Sequence, residues 1–152
     1  VSRSKVNGNY VTSIMALQEA MNEGYDEALL LDDEENISEG SGENFFIVKN
    51  KILFTPDLDA SLDGITRKSI ISLAEELNIK VEIKKIKLQD VLEADELFFT
   101  GTAAEVVPIR SVDKKLISDG ERGEITTILQ KNYFDQVRGK RDSFSEWLYS
   151  ID

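Results

Sequence analysis

Cysteine and histidine are both missing from the 152 residues, and proline occurs only twice. Without thiol or imidazole, disulfides, thiolate nucleophiles, Cys/His zinc sites, Ser-His-Asp triads and imidazole acid-base chemistry are excluded. No resident metal is expected; Lys, Tyr, Ser, Thr and carboxylates remain to carry any chemistry. Positive charge is scarce too, because 18 Lys+Arg against 29 Asp+Glu leave a formal charge of −11. Nucleic-acid affinity rests largely on Lys and Arg neutralising phosphates, so no nucleic-acid partner is expected. Apolar runs are short, far below the roughly 20 residues that cross a bilayer, and no charged-then-apolar leader opens the chain. A soluble, cytoplasmic protein without a membrane partner is the expectation.

What is present suits one domain. The chain is 41% hydrophobic, and a domain of this length typically removes roughly two thirds of its unfolded surface from water. It opens on Val1, from which a processed chain or a fragment is expected.

Apolar steps of three and four at Val11, Ile14, Met15, Leu17 and Met21 predict a buried first helix over about residues 10–23, stopped at Gly24. Residues 27–32 suit a buried strand ending in an acidic turn. The Gly- and Ser-rich run 38–44 predicts a loop, and 45–48 and 52–55 flank Lys49-Asn50-Lys51 as a hairpin closed by Pro56. A helix is expected from Thr66 to about Asn78, a half-exposed strand over 80–87 and a short helix over 88–94. Strands at 96–100 and 106–109, a turn-linked pair within 111–117 and a helix over 123–137 complete the pattern. Hairpins mixed with isolated helices predict an α/β (mixed α+β) fold with a mixed sheet, not alternating doubly wound units.

Three turns could expose backbone N–H groups: 38–44, 61–66 and 100–105. Gly64-Ile65-Thr66 opens a helix, whose first N–H groups lack partners and whose dipole favours anions; Gly101-Thr102-Ala103 follows a strand. Each could be a phosphate cradle, although an ordinary helix cap is the more common outcome for any one such site taken alone. Neither has the spacing of a Walker loop or of a three-glycine dinucleotide site. Lys5 lies beside the turn Asn7-Gly8-Asn9, where a desolvated amine could act as a nucleophile, but by itself it reads as a surface lysine. Glu39, ahead of Gly40, reads as a turn carboxylate.

As strings, Lys5-Val6-Asn7-Gly8-Asn9-Tyr10, Ser38-Glu39-Gly40-Ser41-Gly42-Glu43-Asn44-Phe45-Phe46, Leu62-Asp63-Gly64-Ile65-Thr66-Arg67 and Phe99-Thr100-Gly101-Thr102-Ala103-Ala104-Glu105-Val106 resemble consecutive signatures of branched-chain amino-acid aminotransferases. The resemblance continues through Leu129-Gln130-Lys131-Asn132-Tyr133-Phe134 and Arg138-Gly139-Lys140, nearly the whole chain. It implies fold type IV of the pyridoxal phosphate enzymes, with residues 1–152 forming the C-terminal cofactor domain: a mixed sheet or pseudo-barrel with surrounding helices.

The resemblance further implies a role for each matching residue. Lys5 would bond the aldehyde of pyridoxal 5'-phosphate and move the proton at the substrate Cα, and Tyr10 would hydrogen-bond the cofactor's phenolic oxygen. Glu39 would face the pyridine nitrogen and keep it protonated. Gly64, Ile65 and Thr66 at one helix start, with Gly101 and Thr102 at the second turn, would hold the phosphate. Thr102, Ala103 and Ala104 would present donors to the substrate carboxylate.

Asp63 departs from the family, which commonly has Pro at that place. Family members also carry a smaller N-terminal domain ahead of the lysine, expected to supply an arginine to the phosphate and much of the side-chain pocket; alone, these residues are expected to be inactive. The implied activity is amino transfer between Leu, Ile or Val and 2-oxoglutarate, with small amino and 2-oxo acids as substrates and a homodimer as the full-length assembly. A D-amino-acid aminotransferase, an aminodeoxychorismate lyase and a catalytically silent structural unit are the alternatives.

Overall fold

The computed structural model describes residues 7–57, 64–102 and 105–139. Its elements run α1 (Asn7–Asn22), β1 (Leu29–Leu31), β2 (Ile37–Gly40), β3 (Asn44–Lys49), β4 (Ile52–Thr55), α2 (Ile65–Glu76), β5 (Val81–Ile83) and α3 (Leu88–Leu92). There follow β6 (Glu96–Gly101), β7 (Glu105–Pro108), β8 (Ser111–Val112), β9 (Lys115–Leu116) and α4 (Glu124–Val137).

The central sheet has the order β5-β4-β3-β6-β7. Only β4 and β5 run parallel, and α2 makes the crossover that such a pair requires. Every other pairing in the sheet is antiparallel. The strands β1 and β2 form a ribbon, as do β8 and β9, and Ile37 of β2 makes an isolated antiparallel bridge to Ile86. This is the mixed α/β architecture expected from the sequence.

Because successive strand residues point to opposite faces, the unbroken apolar run of β3 feeds two cores. Phe45 and Ile47 join Phe54, Leu97, Phe99 and Ile37 on one face, whereas Phe46 and Val48 join Leu53, Phe98, Ile70 and Leu129 on the face covered by α2 and α4. The register sets Phe46 opposite Phe98 and Phe45 opposite Phe99. The first pair stacks with ring centroids 4.9 Å apart, and the second tilts at 6.0 Å.

Three expectations need correction. Residues 38–40 are not loop: they continue β2, where the buried Ser38 hydroxyl donates to the Leu30 carbonyl and replaces the water a loop would need. The expected strand over 80–87 is shorter, Val81–Ile83, because past it β4 ends and Lys84, Lys85 and Lys87 are exposed. Among the described side chains, the apolar stripe of α1 is not fully buried either, and only Leu17 of that stripe is half-buried. Ile14, Met15 and Met21 are 49%, 67% and 55% exposed, so spacing alone identified a helix but not what covers it.

Candidate functional site

The site forms where three separated pieces of chain meet at the same end of the central strands β3 and β6. The first is the β2–β3 turn, closed by the Gly40 N–H donating to the Glu43 carbonyl at 2.8 Å. A side chain on Gly40 would strike the Phe99 ring at 2.7 Å, so glycine lets this turn lie flat on the sheet. Glu27 braces it from outside, its Oε1 accepting the N–H groups of Ala28 at 2.8 Å and Ser41 at 3.3 Å. The second piece is the start of α2; the third is the end of β6, where Thr100 stands opposite Asn44 and Gly101 opposite Glu105.

These pieces enclose a cavity of about 230 Å³ whose lining includes Glu39, Glu43, Gly64, Ile65, Thr66 and Thr102. Gly64 caps α2 with extended backbone and no side-chain hydrogen bond. Helix geometry leaves the first N–H groups without intrahelical acceptors, and those of Ile65 and Thr66 have none among the described residues. The helix dipole therefore meets the cavity with donors exposed, a setting that favours an anion.

Two acidic side chains, Glu39 and Glu43, share this lining. Burial, then the neighbouring charge of Glu27, raises the Glu43 carboxyl above its ordinary pKa. The lining combines the donors and positive dipole of a helix start with two carboxyl groups. Such a lining suits a ligand that bears both an anionic group and a protonated nitrogen.

Of the residues expected at a site, Glu39, Gly64, Ile65, Thr66, Gly101 and Thr102 all line this one cavity. Tyr10 falls in α1, while Lys5, Ala103 and Ala104 lie outside the described residues. Asn44, Glu43 and Thr100 also line the cavity, although the sequence reading gave them no site role. Their positions within the matching strings were the only signal; the pairing of β3 with β6, which brings Asn44 and Thr100 together, has no local signature.

The sequence model of the family described as Amino-transferase class IV matches residues 1–112, and the chain belongs to that family. The branched-chain-amino-acid aminotransferase of Pseudomonas aeruginosa is 52% identical over 147 residues, which are 97% of this chain and 48% of that protein. The Escherichia coli enzyme of the same name is 41% identical over 150 residues, 98% of this chain and 48% of its own length. Among solved structures, the branched-chain aminotransferase of the thermophilic archaeon Thermoproteus uzoniensis with norvaline superposes with a TM-score of 0.93. It is 44% identical, with 97% of this chain and 49% of that one covered. The chain thus spans about half the length of the curated relatives it matches.

Proposed function

We propose that the complete protein transfers the amino group of Leu, Ile or Val to 2-oxoglutarate with pyridoxal 5'-phosphate as cofactor, and that residues 1–152 are its C-terminal cofactor domain. The observation that carries this reading is the convergence of Glu39, Thr66 and Thr102, distant in sequence, on one cavity at the N-terminus of α2. The donor set fits the group. Unpaired helix N–H groups and threonine hydroxyls suit a phosphate, and Glu39 in the same cavity suits a pyridinium nitrogen.

When bound, the cofactor supplies an electron sink for the substrate Cα and an aldehyde carbon that carries the amino group between the two substrates. The chain's own residues do the rest. Ile65, Thr66 and Thr102, on the frames of Gly64 and Gly101, hold the phosphate and so fix the ring. Glu39 keeps the proton on the ring nitrogen; its carboxylate makes that protonated form the stable one. Tyr10 donates to the phenolic oxygen. Lys5 would hold the cofactor aldehyde and would carry the proton at the substrate Cα. Thr102, Ala103 and Ala104 orient the substrate carboxylate, and the complete protein works as a homodimer.

Support for the branched-chain choice comes from the relatives at 41% and 52% identity, which carry that name. Incubating the complete native protein with pyridoxal 5'-phosphate, reducing with borohydride and mapping the phosphopyridoxyl mass tests the site. An adduct confined to Lys5 is expected; scattered adducts, or none, would overturn the assignment.

A further inference from the structure

Gly64 sits at φ −71° and ψ 149°, a conformation open to any residue, so its backbone does not demand glycine. Space does. A Cβ at Gly64 would collide with the Asn44 side-chain oxygen. The N-cap of α2 therefore rests directly on the amide of Asn44, the first residue of β3, which is only 6% exposed and lines the cavity. Opposite Asn44 in the sheet register stands Thr100, fully buried, whose hydroxyl has no hydrogen-bond partner among the described residues and which lines the same cavity. Strand alternation puts both side chains on the sheet face that carries α2, since Phe46 and Phe98, two residues along each strand, pack there.

We propose that Asn44 is a positioning residue for the anion at the start of α2. Its amide sets the height of Gly64 above the sheet, and thereby aims the N–H groups of Ile65 and Thr66 at the phosphate of the cofactor. This rests on the cofactor reading above. It adds a neutral polar platform where a carboxylate of equal size would repel the phosphate, and where an added methyl on Gly64 would lift the helix start away.

The phosphate-specific part of binding isolates the effect. In the complete native protein, affinities for pyridoxal 5'-phosphate and for pyridoxal, which lacks the phosphate, are compared in wild type, Asn44→Asp, Asn44→Ser and Gly64→Ala. Wild type is expected to favour the phosphate ester strongly. Asn44→Asp and Gly64→Ala are each expected to weaken the ester by roughly tenfold or more, the scale of one lost hydrogen bond to a charged group, while pyridoxal binding stays nearly unchanged. Asn44→Ser, smaller and neutral, is expected to lose less than Asn44→Asp and keeps the comparison available if the charged variant does not fold. Unchanged preference for the ester in Gly64→Ala or in the folded Asn44 variants overturns the role of Asn44 and leaves the cofactor reading standing. Equal affinity of wild type for both compounds overturns the cofactor reading itself.

Discussion

The carboxylate of Glu96 accepts the backbone N–H of Thr126 at 2.7 Å, across 30 positions of sequence, and that of Ile125 at 3.2 Å. A β6 side chain thus caps α4, whose own N-cap is Gly123 with no side-chain hydrogen bond. A Cβ on Gly123 would overlap the Glu96 carboxyl, so glycine gives the cap access. Glu96→Ala is expected to lower stability by about 1 kcal/mol, read as a lower urea midpoint with an unchanged slope. Gly123→Ala is expected to lower the midpoint too, and combining it with Glu96→Ala to cost less than the sum of the two.

The hairpin joining β3 to β4 turns on Asn50 and Lys51 alone, at φ 51° and 61°. Two consecutive positive φ angles match the twist of the strands but strain a lysine. Lys51→Gly is expected to raise stability by roughly 0.5–1 kcal/mol, measured by chemical denaturation.

Phe98 is fully buried and stacks on Phe46 between the sheet and its covering helices. Phe98→Ala is expected to cost about 3–5 kcal/mol and Phe98→Leu distinctly less, because the smaller void can be partly filled. Thermal unfolding of the two variants gives the comparison.

Glu43 answers to pH in the opposite sense from a salt-bridged carboxylate. Burial first, and the charge of Glu27 second, raise its folded-state pKa above the unfolded value. The folded chain then binds the proton more tightly, so this group's effect on stability worsens as pH rises from the ordinary glutamate range through the raised value. Glu43→Gln is expected to raise the melting temperature at neutral pH, the gain disappearing below the ordinary glutamate range. A melting-temperature profile across pH for both proteins checks the sign.

Local signals were legible where chemistry and periodicity agreed. The apolar spacing of Ile70, Leu73 and Ala74 marked α2 and its buried side, and Lys49-Asn50-Lys51 between two apolar runs marked the hairpin. The loop reading held for 41–43 and failed at 38–40, because small polar residues favour turns in isolation, whereas here pairing with β1 and the Ser38 to Leu30 hydrogen bond supply the missing partners. The exposed stripe of α1 shows the opposite failure, since a periodic pattern does not say what covers it. At the site, glycines 64 and 101 with the following threonines were visible as donors, and the matching strings singled out Glu39. The Asn44 amide beneath Gly64 was not, because only the tertiary approach of β3 to α2 creates it.

Amino transfer by the complete native protein tests the central claim most directly. With pyridoxal 5'-phosphate, L-leucine and 2-oxoglutarate, glutamate is expected to form at a rate abolished by Lys5→Ala, and D-alanine is expected to be inert as donor. Glutamate formation from D-alanine but not from L-leucine, or an undiminished rate in Lys5→Ala, would contradict the account.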